Sequence, residues 1–176
     1  HRVSHLHWGG GSPSLLSAAH IRALATTLRS AFHMDEETEF AVEVDPRDCD
    51  ATRIAALHAA GVRRISLGVQ DFDPRVQAAI GRPQSLADTQ AVVSAFRAHG
   101  IASINIDLIY GLPLQTLESV DDTVGKVIEL APDRGAIFGY AHLPQRLRHQ
   151  RLIPTDLLPD AVARFAQADY MARRLE

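Results

Sequence analysis

Ile104-Asn105-Ile106-Asp107-Leu108-Ile109-Tyr110-Gly111-Leu112-Pro113 alternates apolar and polar side chains, then breaks at a glycine and a proline. A period of two predicts a strand with Ile104, Ile106 and Leu108 on one face and Asn105 and Asp107 on the other. Strand-like runs recur at Val3–Trp8, Glu39–Val44, Arg64–Val69 and Ala136–Tyr140. Helical spacing fills the intervals. Ile21, Leu24, Leu28 and Phe32 predict one buried stripe on a helix opened by Ser17. Ile54, Leu57 and Ala60 follow Asp50 and stop at Gly61, where a helix can end in left-handed geometry. Ser85 and Asp88 resemble a capping box ahead of a helix that Gly100 closes. Thr116 caps a helix carrying Val120, Val124, Val127 and Ile128, and the last helix shows Val162, Phe165, Ala172 and Leu175 on one side. Leu143–Pro159, with three prolines, reads as an irregular excursion.

Strands alternating with helices, and no Asn-Gly type of hairpin signal, imply parallel strands joined by helical crossovers. An open doubly wound sheet and a (β/α) barrel both have this pattern. Gly10, Glu43, Gln70, Asp107 and Tyr140 each fall at or just past the carboxyl end of one strand. Polar groups from every strand end suit one shared site at the top of a barrel, whereas an open sheet gathers its ligand at a single switch point. The expectation is therefore an α/β fold, an incomplete parallel (β/α) barrel of five units forming a single domain over residues 1–176.

The chain has 176 residues, 46% of them apolar, and a net charge of −3 from 18 basic and 21 acidic residues. That length can bury a sizeable core. The charge balance excludes a chain built to coat phosphate backbones, so no nucleic-acid partner is expected. No apolar run approaches the roughly 18 residues that cross a bilayer, so no membrane association is expected either. A lone cysteine, Cys49, excludes an internal disulfide and any metal or iron–sulfur site held by several thiolates of this chain. A reducing compartment, the cytoplasm, follows as the expected location. The chain opens on His1-Arg2-Val3 without Met and closes on Leu175-Glu176 inside a helical pattern, as a piece of a longer protein would.

Leu6-His7-Trp8-Gly9-Gly10-Gly11-Ser12-Pro13-Ser14 is the strongest chemical feature. Three glycines after a strand permit positive φ and let a ligand approach the backbone, although a flexible turn uses the same residues. The run lacks the GK[ST] ending of a phosphate loop. Glu43, in Val42-Glu43-Val44-Asp45-Pro46-Arg47, sits in an apolar strand end where an acid needs a partner. It accepts either from ribose hydroxyls or a cationic amine, or from Arg47 or an arginine on a neighbouring strand. Gln70 can donate and accept, which suits a sugar or an amino-acid ligand. Asp71 or Asp73 is expected to cap the helix at Pro74. Arg82 can clamp a carboxylate with its planar fork or lie solvated. The nine histidines form no HExxH spacing, and Lys126, the one lysine, lies in a helix, which argues against Schiff-base chemistry.

Together LHWGGGSPSLL, VEVDPR, RRISLGVQDF, INIDLIYGLPLQT and YAHLP resemble the oxygen-independent coproporphyrinogen III oxidases, which are radical S-adenosylmethionine (SAM) enzymes. The motifs occur in the family's order over nearly the whole chain. The resemblance implies five of the six units of a partial (β/α) barrel, with the first strand, the Cys-x3-Cys-x2-Cys cluster loop and the C-terminal domain absent. It also implies two cofactors, S-adenosylmethionine and a [4Fe–4S] cluster whose ligands lie outside this chain. Gly10, Gly11 and Ser12 then hold the methionine amino end, and Arg82 pairs with the methionine carboxylate. Glu43, Gln70 and Asp107 contact further polar groups of the ligand, and the backbone of Ala141 meets an adenine. The implied reaction is oxidative decarboxylation of two propionates of coproporphyrinogen III to vinyls by a 5′-deoxyadenosyl radical. Its partners are the porphyrinogen and an electron donor, and no residue here need be an acid, base or nucleophile. A related haem chaperone of the same superfamily shares GGGxPS, GVQ and DLIYGLP-like stretches and is the alternative. The segment alone is expected to show no turnover, and its exposed barrel edge to make it associate or be marginally stable.

Overall fold

The structure is a computed structural model that describes residues 2–101 and 103–175. Its strands are β1 (His5–Trp8), β2 (Glu39–Val44), β3 (Arg64–Gln70), β4 (Ser103–Tyr110) and β5 (Arg134–Gly139). Its helices are α1 (Ala18–Ala31), α2 (Ala51–Ala59), α3 (Pro74–Ala79), α4 (Leu86–Ala98), α5 (Leu117–Glu129) and α6 (Ala161–Leu175). All five strands run parallel in one sheet, in the order β1-β2-β3-β4-β5. Chain order equal to sheet order is what successive right-handed crossovers produce. The expected α/β alternation is thus present, and the five parallel strands form one sheet with no closed barrel among the described residues, as the expected incomplete barrel has. Several strand boundaries shift by one or two residues. Val3 lies outside β1 because its N–H donates to the His33 carbonyl at 3.0 Å. Tyr140 lies one residue past β5. His1 and Glu176, on which the reading of the chain's ends rests, lie outside the described residues.

Helix starts follow local chemistry. The side chains of Ser17, Asp50 and Asp73 accept from the N–H groups of His20, Arg53 and Arg75, each satisfying a donor that the first turn leaves open. Thr116 and Ser119 form a reciprocal capping box, with serine where Glu or Gln is usual. Gly61 and Gly100 take φ +92° and +82° at helix ends. No helix is long and apolar enough to cross a membrane among the described residues.

The chain divides into two compact units. The first comprises His1–Gly68, Ala87–Ile106 and Pro132–Arg134. In it Phe40, Val42, Ile65, Leu67, Ile104 and Ile106 are buried on the strands, with Ile21, Leu57 and Phe96 buried on helices. Trp8 meets Phe40 edge to face, ring centroids 4.8 Å apart. The second comprises Val69–Leu86, Asp107–Ala131 and Gly135–Glu176. Its core holds Phe72, Val76, Leu108, Val120, Val124 and Met171.

Two helical stripes differ from the sequence expectation. On α1 the buried residues are Ile21 and Ala25, while Leu24 is exposed and Phe32 is an exposed cap in extended geometry. Small Ala25 lets α1 approach its neighbour, and a hydrophobic count weights it too lightly. On α6 the buried residues are Gln167 and Met171, whereas Val162 and Phe165 are 79% and 75% exposed. A buried, hydrogen-bonded glutamine turns the helix away from the face its apolar residues mark. Met171→Ala should therefore cost about 2–4 kcal/mol, while Phe165→Ser stays within about 0.5 kcal/mol of the parent, both read from urea unfolding.

Candidate functional site

In the first unit β1 runs straight into the glycine loop. Gly10 and Gly11 hold φ of +76° and +80°, and a Cβ built on either meets nothing within 4 Å. Glycine is needed there for conformation, and the space over the backbone is open. Gly9 matters for a different reason, the room it leaves for two side chains. A Cβ on it would lie 2.5 Å from Glu43 Oε1 and 2.9 Å from His7 Nε2. The Glu43 carboxylate thus lies over the loop, taking the Gly10 N–H on Oε2 at 3.2 Å and the His7 ring nitrogen on Oε1 at 3.1 Å. Arg47, an expected partner of Glu43, instead clamps Asp45 through Nε and Nη2 at 3.0 and 2.8 Å. Arg64 on the neighbouring strand pairs with Glu39 at 2.5 Å. Glu43 therefore faces the loop with backbone and imidazole donors rather than a guanidinium.

Strand register explains how these groups share a face. Glu43 is opposite Ser66, and Val42 is opposite Ile65. Partners in register project the same way, so Glu43 and Ser66 lie on the less buried face and Val42 and Ile65 on the core face. Asn105 donates to Ser66 Oγ at 2.7 Å, extending that polar face onto β4. Ser12 opens the turn at Pro13–Leu15, and fully buried Ser14 accepts the Asp45 N–H at 3.2 Å. Ser14 was not singled out from sequence, although a serine inside an apolar Pro-Ser-Leu-Leu turn was the available signal. A cavity of about 380 Å³ lined by Trp8, Gly9, Gly10, Ser12, Leu16 and Leu24 adjoins the loop.

Gln70, Arg82, Asp107 and Ala141 belong to the second unit. Gln70 ends β3 with φ +71°, a left-handed conformation that costs a non-glycine residue about 1 kcal/mol or more. The next residue is fully buried Asp71. Its carboxylate accepts from the Asp73 N–H at 2.6 Å, Thr123 Oγ1 at 3.0 Å and Gln115 Nε2 at 2.7 Å. Its carbonyl accepts from Gln77 Nε2 at 2.8 Å. Gln115 also donates to the Ile109 carbonyl at 2.9 Å and accepts the Leu112 N–H at 3.1 Å, so the loops after β3 and β4 are tied together. Gln167 extends the network to α6, accepting the Gly111 N–H and donating to the Gln115 carbonyl, both at 3.0 Å. Asp73, not Asp71, is the helix cap.

Asp107 is half-buried on β4. Arg82, half-buried after Gly81, donates its backbone N–H to the Gln77 carbonyl at 2.8 Å. Past β5, buried Gln150 donates to the Ala141 carbonyl at 3.0 Å and accepts the Leu143 N–H at 2.5 Å. Arg164 donates to the Tyr140 carbonyl at 2.7 Å, with its guanidinium 6.0 Å from the Tyr110 ring centroid. Glutamines 77, 115, 150 and 167 carry these loops. Sequence reasoning missed them because their backbone partners lie at irregular separations, from three residues for Gln115 to 56 for Gln167, which leaves no repeating pattern. Burial pushes the Cys49 thiol up to about 12, so it stays protonated rather than a thiolate ligand. Among the described residues no group of three or more His, Cys, Asp or Glu could hold a metal ion. Lys126 pairs with Asp122 on α5.

Comparison with known proteins follows the same residues. The profile of the radical SAM superfamily matches residues 1–127. An oxygen-independent coproporphyrinogen III oxidase of Bradyrhizobium diazoefficiens is 49% identical over 175 residues, covering 99% of this chain and 39% of that protein. An uncharacterized protein of Sinorhizobium fredii is 45% identical over 94% of this chain and 64% of its own length. The solved coproporphyrinogen III oxidase of Escherichia coli, described as a radical SAM enzyme, superposes with a TM-score of 0.92 at 40% identity. That match covers 98% of this chain and 41% of the other. The chain spans about two fifths of the oxidases it matches.

The Asp71 network has a pH signature. Burial, opposed by the three hydrogen bonds, pushes the Asp71 carboxyl above its ordinary value of about 4. The folded state then holds that proton more tightly than the unfolded chain, so this contribution to stability falls as pH rises from about 4 through the higher folded value. Asp73 acts oppositely below that window. Hydrogen bonding from Arg75 lowers its carboxyl, adding stability as pH rises toward about 4. Asp71→Asn should cost about 1–3 kcal/mol, because one oxygen replaces two as acceptors. It should also remove the decline above pH 4 while keeping the acid-side rise, as urea titrations from pH 3 to 7 would read.

Proposed function

Because the chain belongs to the radical SAM superfamily, we propose that it is the central part of the barrel of an oxygen-independent coproporphyrinogen III oxidase. In this reading residues 1–176 form one functional piece that receives S-adenosylmethionine beside a [4Fe–4S] cluster. The observation that carries it is the glycine loop with Glu43 over it. Gly10 and Gly11 offer backbone groups without a Cβ in the way, and the carboxylate beside them favours a cationic ammonium or sulfonium group. The donor set fits that ligand and does not fit the cluster, since the sequence has a single cysteine and its thiol stays protonated. The cluster ligands are therefore assigned to sequence outside these residues.

Gly10, Gly11 and Ser12 hold the amino end of the ligand, and Arg82 pairs with its carboxylate through a bidentate fork. Glu43, Gln70 and Asp107 accept from its ammonium and hydroxyl groups, and the peptide of Ala141, steadied by Gln150, lies against the adenine. When bound, the cluster and S-adenosylmethionine supply a carbon radical that can remove a hydrogen atom from an unactivated propionate. These residues contribute orientation and exclusion of water. The substrate is coproporphyrinogen III, two propionates of which become vinyls with loss of carbon dioxide, each giving up one hydrogen atom to the carbon radical and one further electron to an acceptor. An electron donor is the second partner, and the cytoplasm is the expected location.

The test is a chimera in which residues 2–175 replace the matching segment of the Bradyrhizobium relative. After anaerobic cluster reconstitution it should form divinyl product from coproporphyrinogen III, while the 176-residue chain alone forms none. Glu43→Gln in the chimera should weaken S-adenosylmethionine binding about tenfold, the scale of one hydrogen bond to a charged group. A cluster-loaded chimera that cleaves S-adenosylmethionine yet leaves the porphyrinogen untouched would overturn the oxidase reading.

A further inference from the structure

We propose that His7 is a positioning residue that holds the Glu43 carboxylate over the glycine loop and, through it, orients the Gly10 amide. The proposal rests on the assignment of this loop to S-adenosylmethionine. Glu43 is close to half exposed and would by itself sample several rotamers. Two tethers restrain it, His7 Nε2 on Oε1 and the Gly10 N–H on Oε2. A carboxylate only accepts, so His7 presents the N–H from Nε2. His7 is opposite Ala41, two residues before Glu43 on β2, so both side chains leave the same face of the sheet.

Gly9 completes the device. A Cβ there would lie within 3 Å of both side chains, so the first glycine of the triplet provides the space in which they meet. The first glycine serves His7 and Glu43, and the next two serve the open backbone. With both carboxylate oxygens engaged, their remaining lone pairs point away from the protein donors, where a ligand ammonium can be received. Losing His7 would free Oε1, let the carboxylate swing off the loop and release the Gly10 amide to solvent.

Two measurements on His7→Ala and His7→Gln test this. The first is nuclear magnetic resonance of the 176-residue chain, reading the shift and hydrogen exchange of the Gly10 amide. The second is S-adenosylmethionine affinity of the cluster-loaded chimera. His7→Ala should speed Gly10 exchange several-fold and weaken binding three- to tenfold, while His7→Gln, which places an N–H at similar reach, restores both. Unchanged Gly10 exchange in His7→Ala overturns the proposal, as does His7→Gln behaving like His7→Ala, which would mean that the ring packs rather than donates. A parent chimera that binds no S-adenosylmethionine would sink the ligand assignment instead, and the Gly10 measurement would still decide whether His7 positions the loop.

Discussion

In a parallel sheet every second side chain must leave by the same face, and most of this protein's organisation follows from that constraint. Ile65, Leu67 and Val69 on β3, and Ile104, Ile106 and Leu108 on β4, are all essentially inaccessible to water. Their burial fixes which residues take the other face. Ser66 and Gln70 alternate with the first set, Asn105 and Asp107 with the second, and each is half-buried. A register slip of one residue in either strand would send its three aliphatic side chains to the polar face, so packing enforces the placement of the polar groups. Polar residues on these strands are thus positioned by their apolar neighbours.

Where the strands end, buried side-chain hydrogen bonds take over from sheet pairing. Backbone groups in loops must find partners once they are removed from water. After β3 and β4 those partners are Asp71, Gln77, Gln115 and Gln167, each nearly or fully buried and each bonded to backbone. A buried carboxylate is tolerated because three donors converge on it. Gln70 keeps its left-handed backbone beside this network, so local strain is offset by well-bonded neighbours. The glycine loop of the first unit uses a lighter arrangement, one carboxylate shared between an imidazole and an amide.

Much of this was legible before any coordinates. The five strands, their parallel order, the caps at Ser17, Asp50 and Thr116 and the glycine ends at Gly61 and Gly100 depend on patterns within a few residues, which sequence displays directly. The candidate residues Gly10, Gly11, Ser12 and Glu43 were legible for the same reason, since glycines after a strand and an acid inside an apolar run are local anomalies. The α6 stripe was misread because Val162 and Phe165 mark an apolar face while the helix docks through Gln167 and Met171. Periodicity records which residues are apolar. It does not record which polar residue will find a backbone partner some fifty residues away.

By itself the sequence determined the alternation of strand and helix, the two faces of β4 and the membership of the radical SAM superfamily. These rest on local periodicity and on runs of adjacent residues. Only the tertiary structure decided that Arg47 binds Asp45 and not Glu43, that His7 shares the Glu43 carboxylate with Gly10, and that four glutamines hold the loops. Each is a choice among several chemically equivalent partners. Distance and direction make that choice, and they exist only once strands distant in sequence lie side by side.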